Sequence, residues 1–335
     1  MKINTKSTLP AAMLIATVCW TAAALLLPDT GLGDAGPQWL QSLAARPAGH
    51  WFLPLAGFLL HSAVAFFLIN LNNTFALIRV RASIQSAIYF LLIAALPAVH
   101  EALAGLLCSV CCLIALQLLF SGYRQEQTSG TLFHCFALAG IAGMIVPPYM
   151  LLVPLLWTGA FSFFALNLRS MAASVVGFAF PWWMAVGYAT LTGHTADFLQ
   201  YIGDIRLFGP LWTGFDLLQS VSLAFLFVVY AVSAVHCLLA GYEDKIRTRT
   251  YLYFLVFFGF CQFVLVALQP YLFASFCPLL VCTTSILAGH LFALTGSRLV
   301  ISLYRSSKTR VLVYGTDDKS VALKKRMHTS KHYHV

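Results

Sequence analysis

Ten long apolar stretches alternate with short polar segments along the chain. At 1.5 Å per residue, helices of these lengths cross a hydrocarbon core of about 30 Å, the shorter ones where the bilayer thins. Helix is the expected state because open strands would leave backbone amides unpaired in lipid. The pattern predicts an all-α fold, a polytopic transmembrane helical bundle of about ten spans. The stretches are residues 9–28, 51–71, 84–98, 102–120, 132–146, 149–166, 171–192, 213–241, 250–268 and 271–296.

The composition excludes a water-soluble protein. Of the 335 residues, 60% are hydrophobic and 9% are charged, whereas a soluble domain carries about 25% charged residues. All nine cysteines lie inside or at the edge of apolar stretches and predict no disulfide framework. Cys108 and Cys111 have a C-x-x-C spacing, but no second pair of ligands accompanies them as a structural zinc site requires. We therefore predict the lipid bilayer as a partner, with no nucleic acid, no cofactor and no metal.

The basic residues predict how the chain is threaded. With ten spans and a cytoplasmic N-terminus, 18 of the 20 lysine and arginine residues fall in cytoplasmic segments, and Arg46 and Arg206 lie outside. Because cytoplasmic loops carry the excess of lysine and arginine, both termini are predicted to be cytoplasmic. We divide the chain into a transmembrane helical domain, residues 1–296, and a basic cytoplasmic tail, residues 297–335.

The first apolar stretch has an alternative interpretation as a cleaved signal peptide. Lys2 and Lys6 precede it, and small residues at 22–24 resemble a cleavage site. Its length of about 18 residues and the nine spans that follow favour a retained helix.

Tryptophans fall into two groups relative to the predicted spans. Trp39, Trp51 and Trp212 lie near the outer interface, where an indole ring is favoured. The others lie nearer the middle of spans, and we interpret them as helix-packing residues. They are Trp20, Trp157, Trp182 and Trp183.

Acidic residues concentrate on the predicted outer side, opposite to the basic ones. A solvated rim is one interpretation. The alternative is an outward-facing site in which carboxylates act as a general base or bind a divalent cation. The first candidates are Asp29 and Asp34 in the first outer loop, and Asp197 with His194 in the second.

The predicted hydrocarbon region carries no Asp, Glu, Lys or Arg deep in a span, which disfavours a proton-coupled transporter. His61 is the polar exception, near the middle of the second span. One interpretation is a neutral imidazole bonded to a neighbouring helix, and the other is a contact to substrate or proton. His134, His236 and His290 lie nearer the cytoplasmic side, and for them we favour the neutral imidazole bonded to a neighbouring helix.

Four arginines share the predicted cytoplasmic face: Arg79, Arg81, Arg124 and Arg169. Paired guanidinium groups bind anionic lipid phosphate well. They are interpreted either as an interfacial anchor or as a clamp for the phosphate of a lipid-linked substrate.

Residues 70–295 resemble a family of uncharacterised bacterial multi-pass inner-membrane proteins. The likeness lies in three hydrophobic motifs: Ser83-Ile-Gln-Ser-Ala-Ile-Tyr-Phe, Gly122-Tyr-Arg124, and Gly140-Ile-Ala-Gly-Met-Ile-Val-Pro-Pro148-Tyr. The resemblance implies a multi-pass protein of the bacterial inner (cytoplasmic) membrane, and it implies no activity.

The layout is also similar, more distantly, to membrane glycosyltransferases that use polyprenyl-phosphate sugars. An acidic outer loop follows the first span, and Arg81-Ala-Ser83 precedes the third. In that family a first-loop carboxylate activates the acceptor, so the resemblance implies a catalytic role for Asp29 or Asp34. The loop lacks the paired D-x-D or E-x-D of those enzymes.

These observations predict an integral inner-membrane protein involved in assembly of the cell envelope. We expect a non-enzymatic membrane subunit, a scaffold, or a conduit for lipid or solute, with other envelope membrane proteins or a lipid-linked substrate as partners. The alternative is a glycosyltransferase-like enzyme that uses a polyprenyl-linked sugar at the outer face of the membrane.

Overall fold

A computed structural model describes the backbone of residues 5–26, 49–78, 83–96, 99, 103–209, 216–241, 244–306, 309–310 and 333–334. Side chains are described for residues 8–22, 54–78, 83–96, 99, 103–209, 216–241 and 244–293.

Helices make up most of the described chain. They are α1 (Thr5–Leu26), α2 (Gly49–Phe75), α3 (Ile84–Ala95), α4 (Leu103–Ser121), α5 (Ser129–Ile145), α6 (Val153–Ser162), α7 (Leu168–Leu191), α8 (Thr195–Gly203), α9 (Leu217–Ala240), α10 (Ile246–Leu268) and α11 (Phe273–Ser306). The 3₁₀ helices Pro147–Leu152 and Pro270–Leu272 lead into α6 and α11. Two-residue strands, β1 (Thr309–Arg310) and β2 (Tyr333–His334), pair in parallel. The predicted helical class is confirmed for the described residues.

Six of the described helical segments are long and apolar enough to cross a membrane. They are Pro54–Phe75, Leu103–Ser121, Leu168–Leu191, Leu217–Ala240, Ile246–Leu268 and Pro270–Ala293. Three shorter apolar helices are Thr8–Ala22, Ile84–Ala95 and Ser129–Ile145. Length and composition thus support a multi-pass membrane protein. The count of ten spans, the cytoplasmic termini and the division at residue 296 stay predictions, and α11 continues to Ser306.

The helix α11 lies at the centre of the bundle. Its segment Pro270–Ala293 is 94% buried, packed chiefly against α3, α4, α9 and α10. The contact with α4 is close because Gly105 has no side chain: a Cβ there would lie 2.1 Å from the carbonyl oxygen of Ser275. Lipid tails are as apolar as the helices, so small residues at such contacts, and not hydrophobicity, allow helices to associate.

The helix α7 lies at the periphery. Its span is only 17% buried, and it packs mainly against α5 through the face that carries Ser170, Ser174 and Gly177. A Cβ at Gly177 would lie 2.3 Å from the carbonyl oxygen of Phe133. Asn167 and Ser170 form a reciprocal capping box at the N-terminus of α7, which satisfies two backbone amides and fixes where the helix begins.

The mid-span tryptophans have different environments. The Trp20 indole donates to the Pro54 carbonyl at 2.9 Å and is buried. The Trp157 indole donates to Ser174 Oγ at 2.9 Å. Trp183 is 71% exposed, so the prediction that it packs against helices is wrong. Its position on α7 lies off the narrow face of small residues that contacts α5.

Candidate functional site

An arginine cluster lies at one end of the bundle, where α4 ends and α10 begins. We define it as Tyr123, Arg124, Phe164, Arg247 and Tyr251. Arg124 follows the end of α4 in a left-handed conformation, with φ of 54°, and its amide donates to the Phe163 carbonyl at 3.0 Å. The Arg124 guanidinium carbon lies 5.7 Å from the Tyr123 ring centroid and 5.4 Å from that of Phe164.

Arg247 approaches the same tyrosine from the first turn of α10. Its guanidinium carbon lies 5.7 Å from the Tyr123 centroid and 5.6 Å from the Tyr251 centroid. Arg247 Nε donates to the Tyr251 hydroxyl at 2.7 Å, and that hydroxyl donates to the Phe120 carbonyl at 2.7 Å. This chain of bonds ties Arg247 to the end of α4.

Both guanidinium groups therefore lie over the Tyr123 ring, and the distance between their carbons is at most twice the distance from each carbon to the ring centroid. Both arginines are exposed, and neither has a carboxylate within 4 Å among the described residues. Cation–π contacts contribute about 0.5–1 kcal/mol each at exposed sites. They hold Arg124 and Arg247 in place without neutralising them, so the cluster presents two fixed positive charges.

A groove of about 430 Å³ lies between α6 and α10. Two of its lining residues, Ser162 and Thr250, lie two and three residues from Phe164 and Arg247 of the arginine cluster. The helices are close beside it, because a Cβ at Gly159 would lie 2.7 Å from the Phe254 ring. The hydroxyl groups of Thr158, Ser162 and Thr250 donate to carbonyls of their own helices. The groove is lined by Thr158, Ser162, Thr250, Tyr253, Phe254 and Phe257.

A second groove of about 430 Å³ lies between α9 and α10 and is lined almost entirely by apolar side chains. Phe227, Phe260 and Phe263 contribute its rings. Thr250 of the first groove lies three residues after Arg247, whereas no lining residue of the second groove lies within ten residues of an arginine, so the second groove serves as a control.

The predicted phosphate ligands do not all meet. Arg169 lines a separate polar pocket of about 570 Å³ with Glu126, Gln127 and Asn167. The turn after α6 separates this pocket from Arg124, since the amide of Arg124 bonds to the first residue of that turn. Arg79 and Arg81 lie outside the described residues. Arg247 was not predicted as a site residue. In the sequence it is one of three basic residues near the start of a helix, and nothing distinguishes it from the other two.

His61 lies buried on α2. Its Nδ1 and the Tyr89 hydroxyl of α3 are hydrogen bonded at 2.8 Å, and the Trp20 ring meets the imidazole edge-on with centroids 5.2 Å apart. The imidazole thus joins α1, α2 and α3.

A line of three buried residues was missed by the sequence analysis. Cys237 Sγ lies 3.4 Å from His290 Nδ1, and His290 Nε2 lies 3.1 Å from Asp244 Oδ2. The His236 ring is 5.9 Å from that of His290. From the sequence, Cys237 was interpreted as an apolar residue and His290 as a neutral imidazole bonded to a neighbouring helix. Asp244 lies in the short connection between α9 and α10. Their separations of 7 and 46 residues follow no known motif, so only the fold brings them together.

The acidic candidates give no site in the described residues. Asp29 and Asp34 lie outside them. His194 precedes α8 and Asp197 lies in its first turn, both exposed. Among the residues that the structure describes, no group of three His, Cys, Asp or Glu side chains has an arrangement that holds a metal ion. The glycosyltransferase alternative, which depends on Asp29 or Asp34, stays a prediction.

Comparison with protein families and with curated proteins finds no match. Among solved structures, the archaeal oligosaccharyltransferase AglB from Archaeoglobus fulgidus, in complex with an inhibitory peptide and a dolichol-phosphate, is similar with a TM-score of 0.48 and 11% identity. The alignment covers 96% of this chain and 54% of AglB, so the chain spans about half the length of that protein. This likeness is too weak to carry an argument about function.

Proposed function

We propose that this multi-pass membrane protein binds a lipid with a phosphate headgroup at the arginine cluster and acts as a non-enzymatic lipid-binding subunit. The observation that carries the proposal is the pair of exposed guanidinium groups, Arg124 and Arg247, that both lie over the Tyr123 ring. The location in a bacterial inner membrane and the role in the cell envelope remain predictions from the sequence.

The headgroup supplies the affinity in this proposal. A lipid chain that moves from the bilayer into an apolar groove leaves one apolar medium for another, so its burial contributes little. A phosphate exchanges interfacial water for two guanidinium groups, each able to donate a forked pair of hydrogen bonds. Because Arg124 and Arg247 are already held against aromatic rings, binding costs less side-chain entropy than it would for free arginines.

The groove between α6 and α10 gives the proposed ligand a chain as well as a headgroup. Its lining residue Thr250 lies one turn of α10 after Arg247, and Phe254 and Phe257 follow along the same helix, away from the arginine cluster. Arg169 lines the polar pocket on the other side of the turn after α6, and we propose it as a contact for the outer part of the headgroup.

The experiment compares lipid retention by purified protein in nanodiscs. The probe is dioleoyl phosphatidic acid competed against dioleoyl phosphatidylcholine and detected by native mass spectrometry. The double variant Arg124→Gln/Arg247→Gln is expected to lose at least tenfold in relative affinity for phosphatidic acid, which corresponds to about 1.4 kcal/mol.

The matched control is Arg206→Gln, an exposed arginine outside the cluster, which is expected to bind like the wild type. Equal retention of phosphatidic acid by the double variant and the wild type would refute the proposal. An equal loss of affinity in the Arg206→Gln control would also refute the proposal, because the effect would then come from the net charge of the protein and not from the arginine cluster.

A further inference from the structure

Three elements bring a thiol, an imidazole and a carboxylate into one line. Cys237 comes from the last turn of α9, Asp244 from the connection before α10, and His290 from α11. Cys237 Sγ lies 3.4 Å from His290 Nδ1, and Nε2 of the same ring lies 3.1 Å from Asp244 Oδ2. With its proton on Nε2, the imidazole donates to the carboxylate and accepts from the thiol. All three side chains are buried. The order thiol, imidazole, carboxylate is that of an activated nucleophile, with a base oriented by a third group.

A metal does not explain this arrangement. Cys237 and Asp244 bond to opposite nitrogens of the His290 ring, so the three side chains point at no common centre. The three groups instead lie one after another along a path for a proton, from the Cys237 sulfur to His290 Nδ1. The Asp244 carboxylate lies on the far side of the ring. It fits a base that takes the thiol proton while the carboxylate stabilises the resulting imidazolium.

We propose that Cys237 is a nucleophile that accepts a fatty-acyl group from an acyl thioester. Cys237 Sγ attacks the thioester carbonyl carbon and its proton passes to His290 Nδ1. A new C–S bond forms, the C–S bond to the donor thiol breaks, and His290 returns the proton to the departing thiolate. One thioester replaces another, so the step needs no oxidant, reductant or energy source. Asp244 is a positioning residue that fixes the imidazole tautomer.

A long acyl chain is the substrate class that the surroundings favour. Cys237 faces α11, whereas Val235, Leu238 and Leu239 are exposed on the other faces of the same end of α9. An acyl chain on Cys237 meets this apolar surface once the end of α9 separates from α11. The thiol itself is covered in this structure, so attack requires the end of α9 to separate from α11. We expect this opening to limit the rate of acylation.

The experiment incubates the purified full chain in nanodiscs with a C16 acyl-CoA and maps acylated cysteines by peptide mass spectrometry. Acylation is expected at Cys237 and is expected to be released by neutral hydroxylamine, as for a thioester. Cys237→Ser is expected to lose the modification. Cys261→Ser, a partly exposed cysteine on α10, is expected to retain it. Acylation elsewhere but not at Cys237, or no acylation, would overturn the proposal.

Variants of His290 and Asp244 distinguish a chemical role of these residues from a role in helix packing. His290→Gln and Asp244→Asn are expected to lower the acylation rate at least tenfold, and Asp244→Glu is expected to recover part of it. Each variant is compared at equal folded fraction, determined by its thermal transition. If acylation of Cys237 proceeds equally fast in His290→Gln, the line of residues is a hydrogen-bonded packing contact and the proposal fails. Phosphatidic acid binding is expected to be unchanged in Cys237→Ser, so the result is independent of the arginine cluster.

Discussion

The helices α11 and α7 are both long and apolar enough to cross a membrane, yet one is central and the other peripheral. The α11 segment Pro270–Ala293 is 94% buried, whereas Leu168–Leu191 of α7 is 17% buried. The buried helix carries many small and hydroxyl side chains, including Ser275 and Thr283. The peripheral helix exposes large ones such as Trp183 and Tyr188. Both helices carry many small residues, so the difference lies in their neighbours: α11 packs against α3, α4, α9 and α10, whereas α7 packs mainly against α5.

The largest expected effect tests the contact between α4 and α11. Gly105→Ala places a methyl group 2.1 Å from the Ser275 carbonyl oxygen, and backbone cannot move aside as a flexible side chain does. We expect a loss of about 3 kcal/mol in the free energy of unfolding, measured in nanodiscs.

The matched control is Gly187→Ala on α7, where a Cβ meets nothing within 4 Å. Alanine favours helix over glycine by up to about 1 kcal/mol, so this variant is expected to be unchanged or more stable. Equal destabilisation of the two variants would contradict the distinction between a central and a peripheral helix.

A smaller loss is expected from Tyr149→Phe. The Tyr149 hydroxyl lies 2.9 Å from the Ser275 carbonyl and 3.2 Å from that of Gly105, so it bonds at the contact of α4 with α11. Hydrogen bonds between membrane helices contribute about 0.6–1.7 kcal/mol, and we expect a loss of about 1 kcal/mol. Tyr188→Phe, on the exposed side of α7, is expected to change nothing. A Tyr149→Phe variant as stable as the wild type would show that this bond does not hold α11.

A gain of similar size is expected from Gln262→Leu on α10. The side chain is fully buried, and neither amide atom has a hydrogen-bond partner in the described part of the chain. A buried polar group without a partner costs about 1–3 kcal/mol. Replacing it with leucine, which has similar length, is expected to raise the free energy of unfolding by about 1 kcal/mol. A clear loss would mean that the amide bonds to a group outside the described residues.

The smallest effect is expected from Trp183→Ala. The ring is exposed on α7, where lipid replaces it at little cost, so the change should stay within about 0.5 kcal/mol. Trp157→Ala is the comparison, because it removes the bond to Ser174 and the stack on Phe136. A loss as large in Trp183→Ala as in Trp157→Ala would show that Trp183 is enclosed.

The sequence predicted where helices lie but not which of them are enclosed. Each predicted apolar stretch overlaps a described helix, since hydropathy reports the solvent around a segment. Hydropathy does not distinguish lipid from neighbouring helices, so the environments of Trp157 and Trp183 could not be separated. The spacing of small residues at 170, 174 and 177 was the available signal for the packed face of α7.

The candidate sites show the same limit. The positive-inside pattern grouped Arg124 with Arg169, but Arg124 does not line the pocket of Arg169. The guanidinium that shares the Tyr123 ring with Arg124 is that of Arg247, far along the chain. The line of Cys237, His290 and Asp244 depends on the register of α9 against α11. A single sequence gives no information about that register.

The most direct test of lipid-phosphate binding is photocrosslinking with a phosphatidic acid probe that carries a diazirine in its acyl chain. Crosslinks are expected at Phe254 and Phe257 in the groove beside the arginine cluster, and they are expected to disappear in Arg124→Gln/Arg247→Gln. Equal labelling of the α9–α10 groove at Phe227 and Phe260, or labelling of Phe254 and Phe257 that survives the double substitution, would contradict the account.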